Sequence, residues 1–220
     1  MLIMPTLAAR ALPENEQEPA RSLNHALMGL SLAAAEFRAS VMLYRETDNS
    51  WRAFEVGDER RSITQKWPFI AARGGAMCLY DFWMGTQAIN QDLLYRTPTI
   101  ASQLDTEAKE RAQQTLTKAF PNLAKLRNAA GHPNEINATP ERAARNVIRA
   151  GDVSRFNFSG ELDTTITLGG GIHDGHYTCV LKGKELSYEI SEGSADTLDT
   201  IAADWARAFE PAARFTQQQK

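Results

Sequence analysis

Six consecutive residues, Arg127-Asn128-Ala129-Ala130-Gly131-His132, carry the chemistry most readily read from this chain. An arginine grips a phosphate through its planar set of donors. A histidine titrates near neutral pH and serves as general base or acid, and an asparagine adds a neutral donor and acceptor. On an unbroken helix, five positions would set Arg127 and His132 about 140° apart. Gly131-His132-Pro133 is a helix stop, with glycine as left-handed cap and proline forbidding continuation, and a turn there swings His132 back toward Arg127. The same glycine and proline equally suit a structural stop, in which Arg127 and His132 bond to the helix end and neighbouring carbonyls. Both assignments fit the residues.

Other candidates are fewer and weaker. Arg73 and Asp81 interrupt an apolar segment in which Met77, Leu79, Phe82 and Trp83 exclude water, and a buried charge is costly unless paired. They are therefore expected to tie helices together or to line a polar cleft beside the motif, with Lys125 as a further phosphate contact. His173 and His176 flank the tight turn Asp174-Gly175, but no third ligand accompanies them, so a solvated hairpin tip is expected, with no metal or cofactor. Gly169-Gly170-Gly171 lacks the Lys-Ser/Thr of a phosphate loop and reads as a strand kink. His25 and Glu36 sit beside a helical stripe; Glu36 could reach the motif, although a solvated position suits it better. Cys78 and Cys179, the only cysteines, lie in apolar patterns and read as reduced buried thiols of a cytoplasmic protein.

The chain has 220 residues, 43% hydrophobic and 23% charged, which is ordinary globular usage and excludes wholesale disorder or a disulfide scaffold. A net charge of −3 argues against a protein that coats nucleic acid nonspecifically through many phosphate contacts. The charge is unevenly spread. Basic and acidic residues number ten and eleven in 1–104, nine and six in 105–155, and five and ten in 156–220, so the one net-basic section holds the motif.

The positioning elements follow from spacing. Residues 1–21 read as a flexible arm, its apolar start too short for a membrane span. Ser22 then caps a helix running to about Glu46, with Leu23, Leu27, Leu30, Ala34, Phe37, Val41 and Tyr44 on one face. A second helix spans roughly 68 to 94 with Pro68 in its first turn; it is apolar nearly all round and so central, and Gly74-Gly75 marks a close backbone crossing. Asp105 or Thr106 opens a third helix carrying Ala108, Ala112, Leu116 and Ala119. Pro121 starts the segment that ends at Gly131, and a short helix fits 140–150. From Phe156 onward, alternation replaces helical spacing. The Asp174-Gly175 turn pairs Leu168 with Leu181, Gly170 with Cys179 and Ile172 with Tyr177. A second turn at Gly183-Lys184 pairs Leu181 with Leu186, Cys179 with Tyr188 and Tyr177 with Ile190. After Ser194, the stripe Leu198, Ile201, Ala202, Trp205 and Phe209 predicts an amphipathic helix able to cover this three-stranded meander. The fold expected is mainly α (α+β), an antiparallel bundle over 22–150 followed by the meander and C-terminal helix over 156–215.

Arg-Asn-x-x-x-His at the end of the last bundle helix resembles the Arg-polar-x3-His signature of HEPN domains, over about residues 22–150. The resemblance implies a helical bundle that dimerises with the motif facing its symmetry mate. It further implies metal-independent RNA cleavage, with His132 as base for the ribose 2′-hydroxyl, Arg127 stabilising the phosphate transition state and Asn128 orienting them. A toxin or defence ribonuclease acting on RNA is one function consistent with this. A noncatalytic nucleotide-binding or RNA-binding protein, or an interaction scaffold, is the other.

Overall fold

Apolar residues at alternating spacings of three and four set the helices, and the computed structural model describes residues 2–131, 138–149, 165–167 and 170–219. Helices α1 (Glu14–Thr47), α2 (Glu59–Thr64), α3 (Trp67–Ala88), α4 (Pro98–Ala101), α5 (Thr106–Ala119), α6 (Leu123–Gly131) and α7 (Pro140–Arg145) precede the strands β1 (Val147–Arg149), β2 (Thr165–Thr167), β3 (Gly171–His173), β4 (His176–Leu181) and β5 (Lys184–Glu189). The chain closes on α8 (Glu192–Gln218). The fold is mainly α with a three-stranded antiparallel sheet, as expected. It resolves into two compact units interleaved along the chain: Met1–Glu36, Cys78–Pro121 and Gly193–Lys220 in the first, Phe37–Met77 and Asn122–Glu192 in the second.

In the first unit the core is Leu23, Leu27 and Leu30 of α1, Leu79 and Phe82 of α3, Ala108, Ala112 and Leu116 of α5, and Leu198, Ile201, Trp205 and Phe209 of α8, all buried. Helix α1 begins eight residues before Ser22, with Glu14 and Glu16 in its first turn, where the helix dipole favours them, and accommodates Pro19. The N-terminal residues are not a loose arm. Met4, Leu7 and Leu12 are buried, and the Asn24 amide both accepts from the Leu7 N–H (2.9 Å) and donates to its carbonyl (3.0 Å). Two carboxylates are buried here with full partners. Glu16 accepts from the Thr99 N–H at 3.1 Å and hydroxyl at 2.8 Å. Asp204 accepts from Arg111 at 3.1 and 3.2 Å and from Arg207 at 2.8 Å.

In the second unit, β3, β4 and β5 form the meander and β1 pairs with β2; β1 lies within 140–150, where the spacing predicts helix, and β2 lies in the stretch of strand-like alternation. Helix α7 stops at Asn146, and the β-branched Val147-Ile148 that follows favours extended backbone. The first hairpin has the expected register, Ile172 opposite Tyr177, around a turn in which Asp174 (φ 47°) and Gly175 (φ 72°) are both left-handed. The second is offset by two from expectation. Lys182 and Gly183 form its turn at φ 52° and 69°, so Cys179 faces Leu186 and Tyr177 faces Tyr188. A shift of two leaves every side chain on its face, which is why the apolar pattern could not detect it. Tyr177, Cys179, Leu186 and Tyr188 still make one buried face.

Helix α3 is apolar in composition but not buried all round. Ala71, Ala72 and Ala76 are buried in this unit while Trp67, Phe69 and Ile70 are exposed. At Gly74-Gly75, where a close backbone crossing is expected, side chains approach instead: a Cβ on Gly75 would stand 2.6 Å from the Tyr188 hydroxyl oxygen and 3.4 Å from the Phe37 ring. That hydroxyl donates to the Ala72 carbonyl. Gly75→Ala gains about 1 kcal/mol of helix propensity, yet the overlap should reverse the sign and destabilise by about 1–3 kcal/mol. Thermal unfolding checks this, and an unchanged or raised midpoint contradicts it.

Burial pushes the Cys179 thiol up to about 12, and burial, then the neighbouring Cys179, pushes the Tyr177 phenol up to about 12, with Arg73 opposing. In the unfolded chain these groups ionise near 8.5 and 10. Raised values mean that the fold favours the neutral forms, so their contribution is complete below about pH 8.5 and is lost as pH rises toward 12. The urea midpoint should therefore fall between pH 9 and 11, and Cys179→Val should flatten that slope; a midpoint indifferent to pH over this range excludes the account.

Candidate functional site

The motif helix α6 begins after Asn122, which takes the left-handed conformation at φ 62° and ends the preceding segment. Its buried side carries Leu123, Leu126, Ala129 and Ala130, and the helix lies against β4 and β5. Lys125 and Asn128, three apart, share the exposed side. Arg127 is half-buried, and its Nη1 donates to the Asn128 side-chain oxygen at 3.3 Å. Gly131 is the last residue of the helix and is not left-handed, so the cap expected there is absent. His132 and Pro133 lie outside the described residues, as do Leu168 and Gly169.

Arg73 was expected to be shielded from water, and it is not. Its side chain crosses from α3 to the end of α6, where Nε donates to the Ala130 carbonyl at 3.0 Å, while the residue remains exposed. The last carbonyls of a helix have no intrahelical donor and carry a partial negative charge, so a guanidinium there is favourable on both counts. Asp81 is also exposed and hence needs no buried partner. Of the expected site residues, then, the structure brings Arg73 to the end of the helix bearing Arg127, Asn128 and Lys125, while Asp81 is a surface residue of the other unit.

Beside the Arg73–Ala130 contact is an open cavity of about 310 Å³ lined by Ile70, Arg73, Gly74, Met77, Ala130 and Gly131. Its walls are mostly apolar, with Arg73 the only charged member. Arg127 stands one turn before Ala130 and Gly131 on the same helix and is not among the residues lining the cavity. Neither Ile70 nor Gly74 was a sequence candidate, because an apolar residue and a glycine carry no chemical signal until the fold places them around a cation.

The remaining candidates resolve as structural or surface groups. His173 Nδ1 is 3.0 Å from the Asp174 carboxylate and His176 Nδ1 is 2.9 Å from the Asp174 carbonyl oxygen, both at the hairpin tip. Among the described residues no group of three His, Cys, Asp or Glu side chains could hold a metal ion. Cys78 and Cys179 are buried and not joined in a disulfide, and His25 and Glu36 are exposed. One helical stretch among the described residues, Glu14–Ala53, is long and apolar enough by composition to cross a membrane, but its Leu23, Leu27, Leu30, Phe37 and Val41 are core residues. Comparison of the chain with protein-family models, curated proteins and solved structures finds no match.

Proposed function

We propose that the end of α6 binds the phosphate backbone of RNA and that the protein is a HEPN-like, metal-independent ribonuclease of the cytoplasm. The observation that carries this reading is the anchoring of Arg73 on the Ala130 carbonyl. It adds a second arginine to the helix end that bears Arg127 and Asn128, and it offsets the negative helix terminus that would otherwise repel a phosphate. Two guanidinium groups supply charge-assisted donors to phosphate oxygens, the requirement of a transition state with charge on its equatorial oxygens. His132, bonded directly to the cavity residue Gly131, is the group in this stretch able to take a proton near neutral pH. In this assignment His132 removes the 2′-hydroxyl proton, the 2′-oxygen attacks the adjacent phosphorus, and the 5′-oxygen leaves with a proton returned from solvent. Arg127 and Arg73 hold the non-bridging oxygens.

The test is cleavage of single-stranded RNA in the presence of a chelator. His132→Ala should remove activity by about 10²- to 10⁴-fold and Arg127→Ala by about 10²-fold, with unfolding midpoints unchanged. Full activity in a folded His132→Ala protein eliminates the assignment.

A second reading, an interaction protein that self-associates, is favoured by α1. Along this helix Met28 and Leu32, one turn apart on the same face, are 65% and 51% exposed. A second copy of the chain is the proposed occupant. Leu32→Glu should convert a dimer into a monomer by light scattering, and a wild-type protein that is monomeric at high micromolar concentration rules this out.

A further inference from the structure

A phosphate accounts for Arg73 but not for the walls around it. An anion gains from donors and loses nothing by leaving Ile70 and Met77 in water, yet those apolar side chains face the same 310 Å³ space as the guanidinium. Ile70 is 61% exposed, a large aliphatic side chain left at the mouth of a concave site. The rest of the lining is small: Gly74, between Ile70 and Met77 on the same face of α3, and Ala130 and Gly131 on α6. Small residues leave that part of the lining smooth, and a Cβ placed on Gly131 would stand 3.8 Å from the Met77 sulfur, in ordinary van der Waals contact. The site therefore asks for a ligand with a flat apolar body joined to an anion.

We infer that this cavity seats one unpaired nucleobase of the bound RNA, stacked against Ile70 and Met77, with Arg73 on the adjoining phosphate. The inference rests on the RNA-phosphate reading of the α6 end and names the part of the substrate that the phosphate contacts leave undefined. The volume lies at the small end of the range for ligand sites and accommodates a single base. A base in a duplex has both faces occupied by its neighbours, so only an unpaired one presents a face to this wall. Methionine is unbranched and polarisable and adapts to a flat ring, and an arginine whose Nε is already engaged has its plane fixed for stacking or for phosphate contact. Arg73 is the only lining residue with a charged or hydrogen-bonding side chain, so the subsite accepts any base and discriminates single strand from duplex rather than one sequence from another.

The experiment is fluorescence anisotropy with a short labelled 2′-O-methyl oligonucleotide, which cannot be cleaved through its 2′-position, an abasic sugar-phosphate chain of equal length, and the corresponding RNA duplex. The expected result is about tenfold tighter binding of the base-bearing strand than of the abasic chain. Ile70→Ala, at an exposed position, and Met77→Ala should bring that ratio to near unity while leaving affinity for the abasic chain unchanged. Equal binding of the two single strands by the wild-type protein overturns the subsite and leaves the phosphate reading intact. Tighter binding of the duplex also overturns the subsite, and no binding of any of the three overturns both.

Discussion

A single turn of α3, from Ala72 to Gly75, holds both parts of the site in place. The Ala72 carbonyl accepts the Tyr188 hydroxyl of β5, Arg73 reaches the Ala130 carbonyl of α6, and Gly75 leaves the space that the Tyr188 ring and hydroxyl occupy. Three consecutive needs, an acceptor, a cation and an absent side chain, are met within four residues. The sheet and the motif helix lying against it are thereby fixed to the same short stretch of backbone. A side chain at position 75 would displace Tyr188, and the strand carrying it would move with it.

The electrostatics of the motif depend on the same turn. A helix C-terminus is a poor place for an anion, because its last carbonyls lack donors and bear partial negative charge. A phosphate site at the end of α6 is thus physically reasonable only with a cation already on those carbonyls, and Arg73 is that cation. Lys125 and Asn128 on the exposed face contribute charge and hydrogen-bonding capacity on the same helix, and Arg127, one turn before its end, donates to Asn128. In the proposed reading the apolar cavity separates two tasks: charged groups position the RNA backbone, and Ile70 and Met77 engage the base it carries.

The parts of this arrangement legible in the sequence were those set by local periodicity. Helices α3 and α5, the capping of α5 by Asp105, the first hairpin and the buried stripe of α8 all follow from spacing and turn chemistry that nothing distant overrides. The second hairpin slipped by two because its register depends on which pair of residues takes positive φ, and Lys182-Gly183 and Gly183-Lys184 differ little on composition. The start of α1 was hidden by Pro19 and by acidic residues whose stabilising partners, such as Thr99 for Glu16, lie far away in sequence. Arg73 was misjudged for a similar reason. Its apolar neighbours suggested burial, whereas the exposed side of α3 and the distant Ala130 carbonyl decide its environment. Asp204, buried between Arg111 and Arg207, gave no sign at all, since one acidic residue on an amphipathic helix ordinarily faces water.

The central claim is that nucleic-acid phosphate is received where Arg73 meets the end of α6. Amide and arginine Nε resonances followed by NMR during titration with a short non-cleavable RNA report on that place directly. The account predicts that the largest shifts fall on the Arg73 Nε–H and on the backbone amides of Asn128 to Gly131, with saturation at a common RNA concentration. Saturable binding that leaves those resonances unmoved and shifts others instead contradicts it.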